Sequence, residues 1–219
     1  MTYTIESGLE NATTRIIVAH GAGAGSESPF LEVLTGLIAD RGIAVTRFEF
    51  AYMAGRRTGG SKRPPSKAEA LVGEYWSALH DVRTASPPGQ TILIAGKSLG
   101  GRVASLIADE AYAQGLASGL VCLGYPFHPP KLPEKLRTTH LENLLCPALI
   151  VQGDRDPFGN RQEVERLNLA PQIKLAWIGD GDHDFGPRGA SGFTRKGNLV
   201  VAADAVAAFA LDLNPRRDV

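Results

Sequence analysis

The stretch TILIAGKSLGGR, Thr91 to Arg102, decides how the rest of the chain is read. Its first half, Thr91 to Gly96, is an apolar, β-branched run with the composition of a strand covered on both faces. Its second half sets Lys97, Ser98 and Leu99 among glycines, and Leu99 opens a helical stretch running to Gln114. A G-x-S-x-G turn between strand and helix projects the serine hydroxyl above the sheet, where it can act as a nucleophile. The flanking Gly96 and Gly100 are needed because side chains there would collide with strand and helix, and Gly101 lets helix and sheet approach closely. The bland alternative is a glycine-rich turn with an incidental serine, and the strand–turn–helix context favours the nucleophile.

AGKS also overlaps the end of a phosphate-binding loop, G-x-x-x-x-G-K-[ST]. That pattern requires glycine where Thr91 stands, and Ile92 to Ala95 are strand residues, so nothing cradles a phosphate. Lys97 reads as a solvated neighbour of the serine, with an anion-attracting position at the mouth as the alternative.

Working outward, further strands read Arg15 to Ala19, Ala44 to Phe50, Leu120 to Tyr125, Ala148 to Gly153 and Ile173 to Gly179, with TYTIE near the start as a short edge strand. Helical stretches alternate with them. Pro29 to Asp40 has Ser28 as a cap and Gly42 after its end. Ser66 to Thr84 opens on a capping-box pattern, Ser66 to Glu69. Asn160 to Leu169 and Asn198 to Leu213 complete the set. The alternation predicts an α/β fold: one domain over residues 1–219, with a mostly parallel sheet of six to seven strands and helices on both faces. The tail 214–219 reads as frayed.

In such a sheet, ligands bind beyond the C-terminal strand ends. Those ends carry Ser98, then GDRDPFG (Gly153 to Gly159), then GDGDHDFG (Gly179 to Gly186), giving the order Ser, Asp, His. In the first aspartate loop Asp154 and Asp156 both qualify to orient a histidine. Asp156 is favoured, because the turn places the acid three residues after the strand-ending glycine. Asp154 would then cap the turn or pair with Arg155 or Arg161. His183 is the histidine beyond the last strand; His80 lies in a helix, and His128 and His140 in the loop after Leu120 to Tyr125. Asp180, Asp182 and Asp184 read as turn formers, because Phe185 and Ser191 stand where an EF-hand loop needs glycine and glutamate. No metal site is expected.

HGAGAG, His20 to Gly25, follows Arg15 to Ala19 and lacks the third glycine of a dinucleotide fingerprint, with Ser26 in its place. One backbone N–H from this loop, at Ala22, and that of Leu99 after the nucleophile are the candidates to hold an oxyanion. His20 reads as a structural hydrogen-bonding residue. Tyr52 to Lys67 contains Arg56, Arg57, Lys62, Arg63 and Lys67 without an acid. It reads as a solvated loop, or alternatively as a basic rim drawing in an anionic or acyl-carrier substrate.

Composition removes other classes. The 23 basic and 23 acidic side chains balance, so no global footprint for nucleic acid or anionic lipid exists. The start, MTYTIESGLE, lacks the basic and apolar parts of a signal peptide, and no apolar run reaches the roughly 18 residues of a membrane span. A cytoplasmic location is the default expectation. Cys122 reads as core and Cys146, before Pro147 with no base nearby, as unreactive.

Taken together, AHGAGAG, FEFAYMAGRRTGGSKRPP and AGKSLGGR resemble the α/β-hydrolase superfamily. Within it they resemble a small lidless family of bacterial hydrolases whose animal relatives include a testis-expressed protein and a scaffold subunit of a chromatin acetyltransferase complex. The resemblance runs from His20 to Leu213 and implies a triad of Ser98, Asp156 and His183 with esterase-like activity. The substrate would be a small-molecule ester or thioester, with no cofactor. Some relatives act as interaction modules, so a non-catalytic module on the same fold is the alternative. Caps in such folds are inserted where this chain has Pro126 to Cys146. That stretch has room for one short helix around Glu134 to Leu144 and none for a cap domain with its own core.

Overall fold

The computed structural model of the protein describes residues 3–57, 59 and 65–213. The strands are β1 (Thr4–Ser7), β2 (Thr14–Ala19), β3 (Ala44–Phe48), β4 (Thr91–Lys97), β5 (Gly119–Leu123), β6 (Ala148–Gly153) and β7 (Ile173–Ile178). They form one sheet in the order β1-β3-β2-β4-β5-β6-β7, parallel except for β1, which runs antiparallel to β3 at the edge. The helices are α1 (Pro29–Ala39), α2 (Ala51–Arg57), α3 (Ala68–Ala85), α4 (Leu99–Ala113), α5 (Arg161–Val164) and α6 (Arg195–Asp212).

Alternation along the central strands explains the layers. On β2, Ile17 and Ala19 face one side and Ile16 and Val18 the other; on β4, Ile92 and Ile94 oppose Leu93 and Ala95. Both sets are apolar because both faces are covered. One face packs against α3 and α4 through Leu71, Tyr75, Val103 and Ile107. The other packs against α1 and α6 through Leu31, Leu34, Ile38, Ala202 and Val206. Burying each large apolar side chain contributes about 1.5–3 kcal/mol. Tyr75 is wholly buried, and its hydroxyl is satisfied between strands: it lies 2.7 Å from the Ala95 carbonyl and accepts the Ala95 N–H at 2.8 Å.

From β2 the chain moves outward to β3 and then returns to β4 on the other side of β2. The loops after β2 and β4 therefore diverge, leaving a crevice at a topological switch point.

Several boundaries differ from the sequence reading. The strand from Ala44 stops at Phe48, and Ala51–Arg57 is the short helix α2 rather than loop. Lys62 and Arg63 of the basic stretch lie outside the described residues, as does the tail 214–219. Helix α3 begins at Ala68 behind Lys67 without a side-chain cap, so the Ser66–Glu69 capping box is not formed. Glu69 instead pairs with Arg102 at 2.7 Å, a stronger, charge-assisted contact. A capping box does form at Asn160 and Glu163, but α5 spans only Arg161–Val164, not Asn160 to Leu169. Between Glu134 and Leu144 the helix reduces to one 3-10 turn, Thr139–Leu141. Helix α6 starts three residues early because the Thr194 hydroxyl accepts the Gly197 N–H at 3.0 Å.

Candidate active site

Ser98 follows β4 and precedes α4 with φ 49° and ψ −112°, a conformation an L-residue adopts only where the surroundings over-determine it. The surroundings do so. A Cβ on Gly96 would lie 2.2 Å from the Gly100 carbonyl carbon, and one on Gly100 would lie 2.6 Å from the Ala19 and His20 carbonyl oxygens. The Ser98 N–H donates to the Leu123 carbonyl at 3.0 Å, tying the turn to β5.

Asp156 lies after β6 and is fully buried. Its carboxylate accepts from three donors: His183 Nδ1 at 2.8 Å, Gln152 Nε2 at 3.0 Å and the Phe158 N–H at 2.8 Å. With Nδ1 committed to Asp156, Nε2 of His183 is left as the basic nitrogen. Gln152 also accepts the Tyr125 N–H at 2.7 Å, so one amide braces the acid against the β5 loop. The sequence reading missed Gln152. Its signal was a polar residue in the otherwise apolar run ALIVQG, since such a group is buried only when hydrogen-bonded.

The ring of Phe158 lies 4.4 Å from that of His183 and, with Ser98, Leu99, Ala22 and Pro126, lines an open cleft of about 760 Å³. The fold therefore brings Ser98, Asp156, His183, Ala22 and Leu99 to the same end of the sheet. Among the described residues no hydrogen bond joins the Ser98 hydroxyl to His183. Leu99 is the first residue of α4, so its N–H has no carbonyl to pair with inside the helix.

His20 is buried, accepts the Phe50 N–H at Nε2 (3.1 Å) and donates from Nδ1 to the Gly21 carbonyl (2.6 Å). Burial lowers its pKa and keeps it neutral, a structural residue that shapes the loop carrying Ala22. Buried Glu49 holds the far end of that loop through the Ser26 N–H and hydroxyl at 2.9 and 3.0 Å.

Asp154 does not pair with Arg155 or Arg161. It accepts the Asp180 N–H at 3.0 Å, and Arg155 pairs with Asp180 at 2.7 Å. A hydrogen bond from Arg188 holds the Asp180 carboxyl down to about 2. Asp182 accepts the Asp184 and Gly186 N–H groups, as a turn former does. Among the described residues no group of three or more His, Cys, Asp or Glu is placed to hold a metal ion.

Lys97 is not solvated. It is 6% exposed, because the loop after β7 packs over it. Its ammonium donates to the His183 carbonyl at 2.8 Å and pairs with Asp184 at 3.2 Å. Of the basic stretch, Lys67 reaches the cleft. Arg102 and Arg137, which the sequence reading passed over, also line it. Cys122 and Cys146 are both buried, and burial pushes their thiols up, that of Cys146 to about 12.

Solved structures share this architecture at low identity. A serine hydrolase homologue from Coxiella burnetii is 17% identical with a TM-score of 0.68, covering 94% of this chain and 89% of its own. A serine hydrolase without lid from Xanthomonas campestris is 20% identical with a TM-score of 0.69, covering 97% and 89%. Est1E from Butyrivibrio proteoclasticus, with ferulic acid bound, is 16% identical with a TM-score of 0.67, covering 97% and 95%. Residues 12–211 match the family model described as alpha/beta hydrolase domain, and the chain belongs to that family.

Proposed function

We propose that the protein is a serine hydrolase of carboxylic esters or thioesters. Ser98 attacks the acyl carbon while His183 Nε2 takes its proton. Asp156 orients His183 and stabilises the imidazolium. The N–H groups of Ala22 and Leu99 hold the oxyanion. The leaving group departs with the proton from His183, and water then releases the acyl group by the reverse sequence. The observation that carries this reading is the Asp156–His183 pair, 2.8 Å long with its carboxylate fully buried, at the same end of the sheet as a serine held at φ 49°. The His183 side chain keeps 23% of its surface exposed, and its ring lies 4.4 Å from that of Phe158, which lines the cleft.

The competing reading is a non-catalytic module on the same fold, since a fold does not by itself establish catalysis. Labelling with a fluorophosphonate separates the two. Covalent modification lost in Ser98→Ala supports the hydrolase. An unlabelled wild-type protein overturns it in favour of the module.

A further inference from the structure

Among the described residues, the cleft beside Ser98 is lined by three cations, Lys67, Arg102 and Arg137, and by one carboxylate, Glu69. Glu69 is committed to Arg102 at 2.7 Å. Among the described residues no carboxylate pairs with Arg137, and the buried Nε of Arg102 has no partner. Arg137 is held by its backbone: its N–H donates to the Phe127 carbonyl at 2.8 Å, and its carbonyl accepts from the Tyr125 hydroxyl at 2.9 Å. Tyr125 and Phe127 are both fully buried, so the guanidinium projects from a rigid base. Arg102 and Arg137 line the same cleft, and burial and the like charge of Arg102 push the Arg137 pKa down. His140 adds no charge there: burial and Arg102 lower its pKa, and its Nε2 is bonded to the Ser105 hydroxyl at 2.8 Å.

An anion in the cleft would offset the like charge of the two guanidiniums, because Arg presents a planar fork matched to a carboxylate. The cleft is also lined by Leu99, Pro126 and Phe158, which suit an uncharged body. Arg102 follows Ser98 by four residues on α4, about 6 Å along the helix axis.

We propose that Arg102 and Arg137 form a carboxylate subsite, so that the substrate is an ester or thioester carrying a free carboxylate a few bonds from its scissile carbonyl. This rests on the serine-hydrolase reading of the same site. The carboxylate could belong to the acyl arm or to the leaving group, and substrate pairs distinguish them. For the acyl arm, p-nitrophenyl hemiadipate is compared with p-nitrophenyl hexanoate. For the leaving arm, 4-acetoxybenzoate is compared with 4-acetoxybenzamide. The expected result is a preference of about tenfold in kcat/KM for the charged member of one pair, the size of one charge-assisted hydrogen bond. Arg137→Gln should abolish that preference and Arg137→Lys restore part of it. The subsite is overturned if neither pair shows a preference, or if the preference survives Arg137→Gln. Should no ester be turned over in a Ser98-dependent way, the hydrolase reading fails on its own. Calorimetric titration with adipate and benzoate then reads the subsite directly. Binding weakened about tenfold by Arg137→Gln supports it, and binding that is absent or unchanged overturns it.

Discussion

The Lys97 ammonium donates a 2.8 Å hydrogen bond to the carbonyl of His183, so the residue before the candidate nucleophile holds the backbone of the candidate base. The ammonium lies over the Phe30 ring, 5.3 Å from the centroid, and its charge is balanced by Asp184 at 3.2 Å. Burying an ammonium lowers its pKa and is unfavourable unless geometry compensates. A lysine kept in that position is expected to act by positioning His183. Lys97→Met should lower kcat about tenfold while KM stays level. Removing the buried charge leaves Asp184 solvated, since its side chain is half-exposed. The melting temperature should therefore move by less than about 4 °C, roughly 1 kcal/mol for a chain of this size. A large loss of melting temperature with no change in kcat would assign Lys97 to folding alone.

Asp156→Asn should cost roughly 10⁴ in kcat, because an amide in that position favours the wrong histidine tautomer. Asp154→Asn should cost less than about tenfold. Its contact is with the Asp180 N–H, which an asparagine carbonyl still accepts. Steady-state turnover of a p-nitrophenyl ester measures both. The reverse ranking would transfer the acid role to Asp154.

Acyl chain length should matter little beyond short esters. Each methylene adds about 0.8 kcal/mol where walls cover it, close to fourfold in affinity. The stretch Pro126 to Cys146 supplies only the 3-10 turn Thr139–Leu141 and no cap over Ser98. Catalytic efficiency should level off at short acyl chains and show no jump when substrate forms micelles. A steady climb through long-chain esters, or a micellar jump, would require a segment that folds over the site.

Stability should fall as pH rises above 9. Burial pushes the Cys146 thiol from 9.0 up to about 12, and the Tyr52 phenol from 10.0 up to about 12. Tyr75, Tyr125 and Cys122 are raised in the same direction by the same cause. Each group keeps its proton in the fold and loses it in the unfolded chain once pH exceeds the ordinary value, so unfolding is favoured by mass action. Their stabilisation is complete below pH 9 and is lost between 9 and about 12. Lys97 and Arg137 work the other way, because their lowered pKa values let the fold gain stability as pH rises towards their ordinary ranges. Two groups against five leave a net decline. Urea midpoints at pH 8, 9.5 and 11 test it, and a midpoint that rises across the series would reverse the balance.

The sheet was legible in the sequence because its cause is local and periodic. Runs such as IIVA, Ile16 to Ala19, and ILIA, Ile92 to Ala95, are apolar at every position, which only a strand covered on both faces requires. The order Ser98, Asp156, His183 was legible for a related reason. In a parallel sheet every strand ends at the same edge, so residues just past the strands converge even when far apart in sequence. The turn at Ser98 was readable from its glycines, since the Gly96 and Gly100 contacts are made within a few residues of the serine or on the adjacent strand.

What tertiary structure alone decided is the side-chain environment. Lys97 reads as solvated beside a serine and is buried by a loop arriving from β7. Ser66 and Glu69 read as a capping box, yet Glu69 is drawn to Arg102 on the neighbouring helix. Arg102 on α4 and Arg137 in the connection between β5 and β6 share no pattern, and only their convergence on one cleft creates a charged subsite. Backbone periodicity is set by neighbours within a few residues, so a linear reading reaches it. Burial and charge pairing are set by whichever distant segment packs alongside, and that is a property of the folded chain.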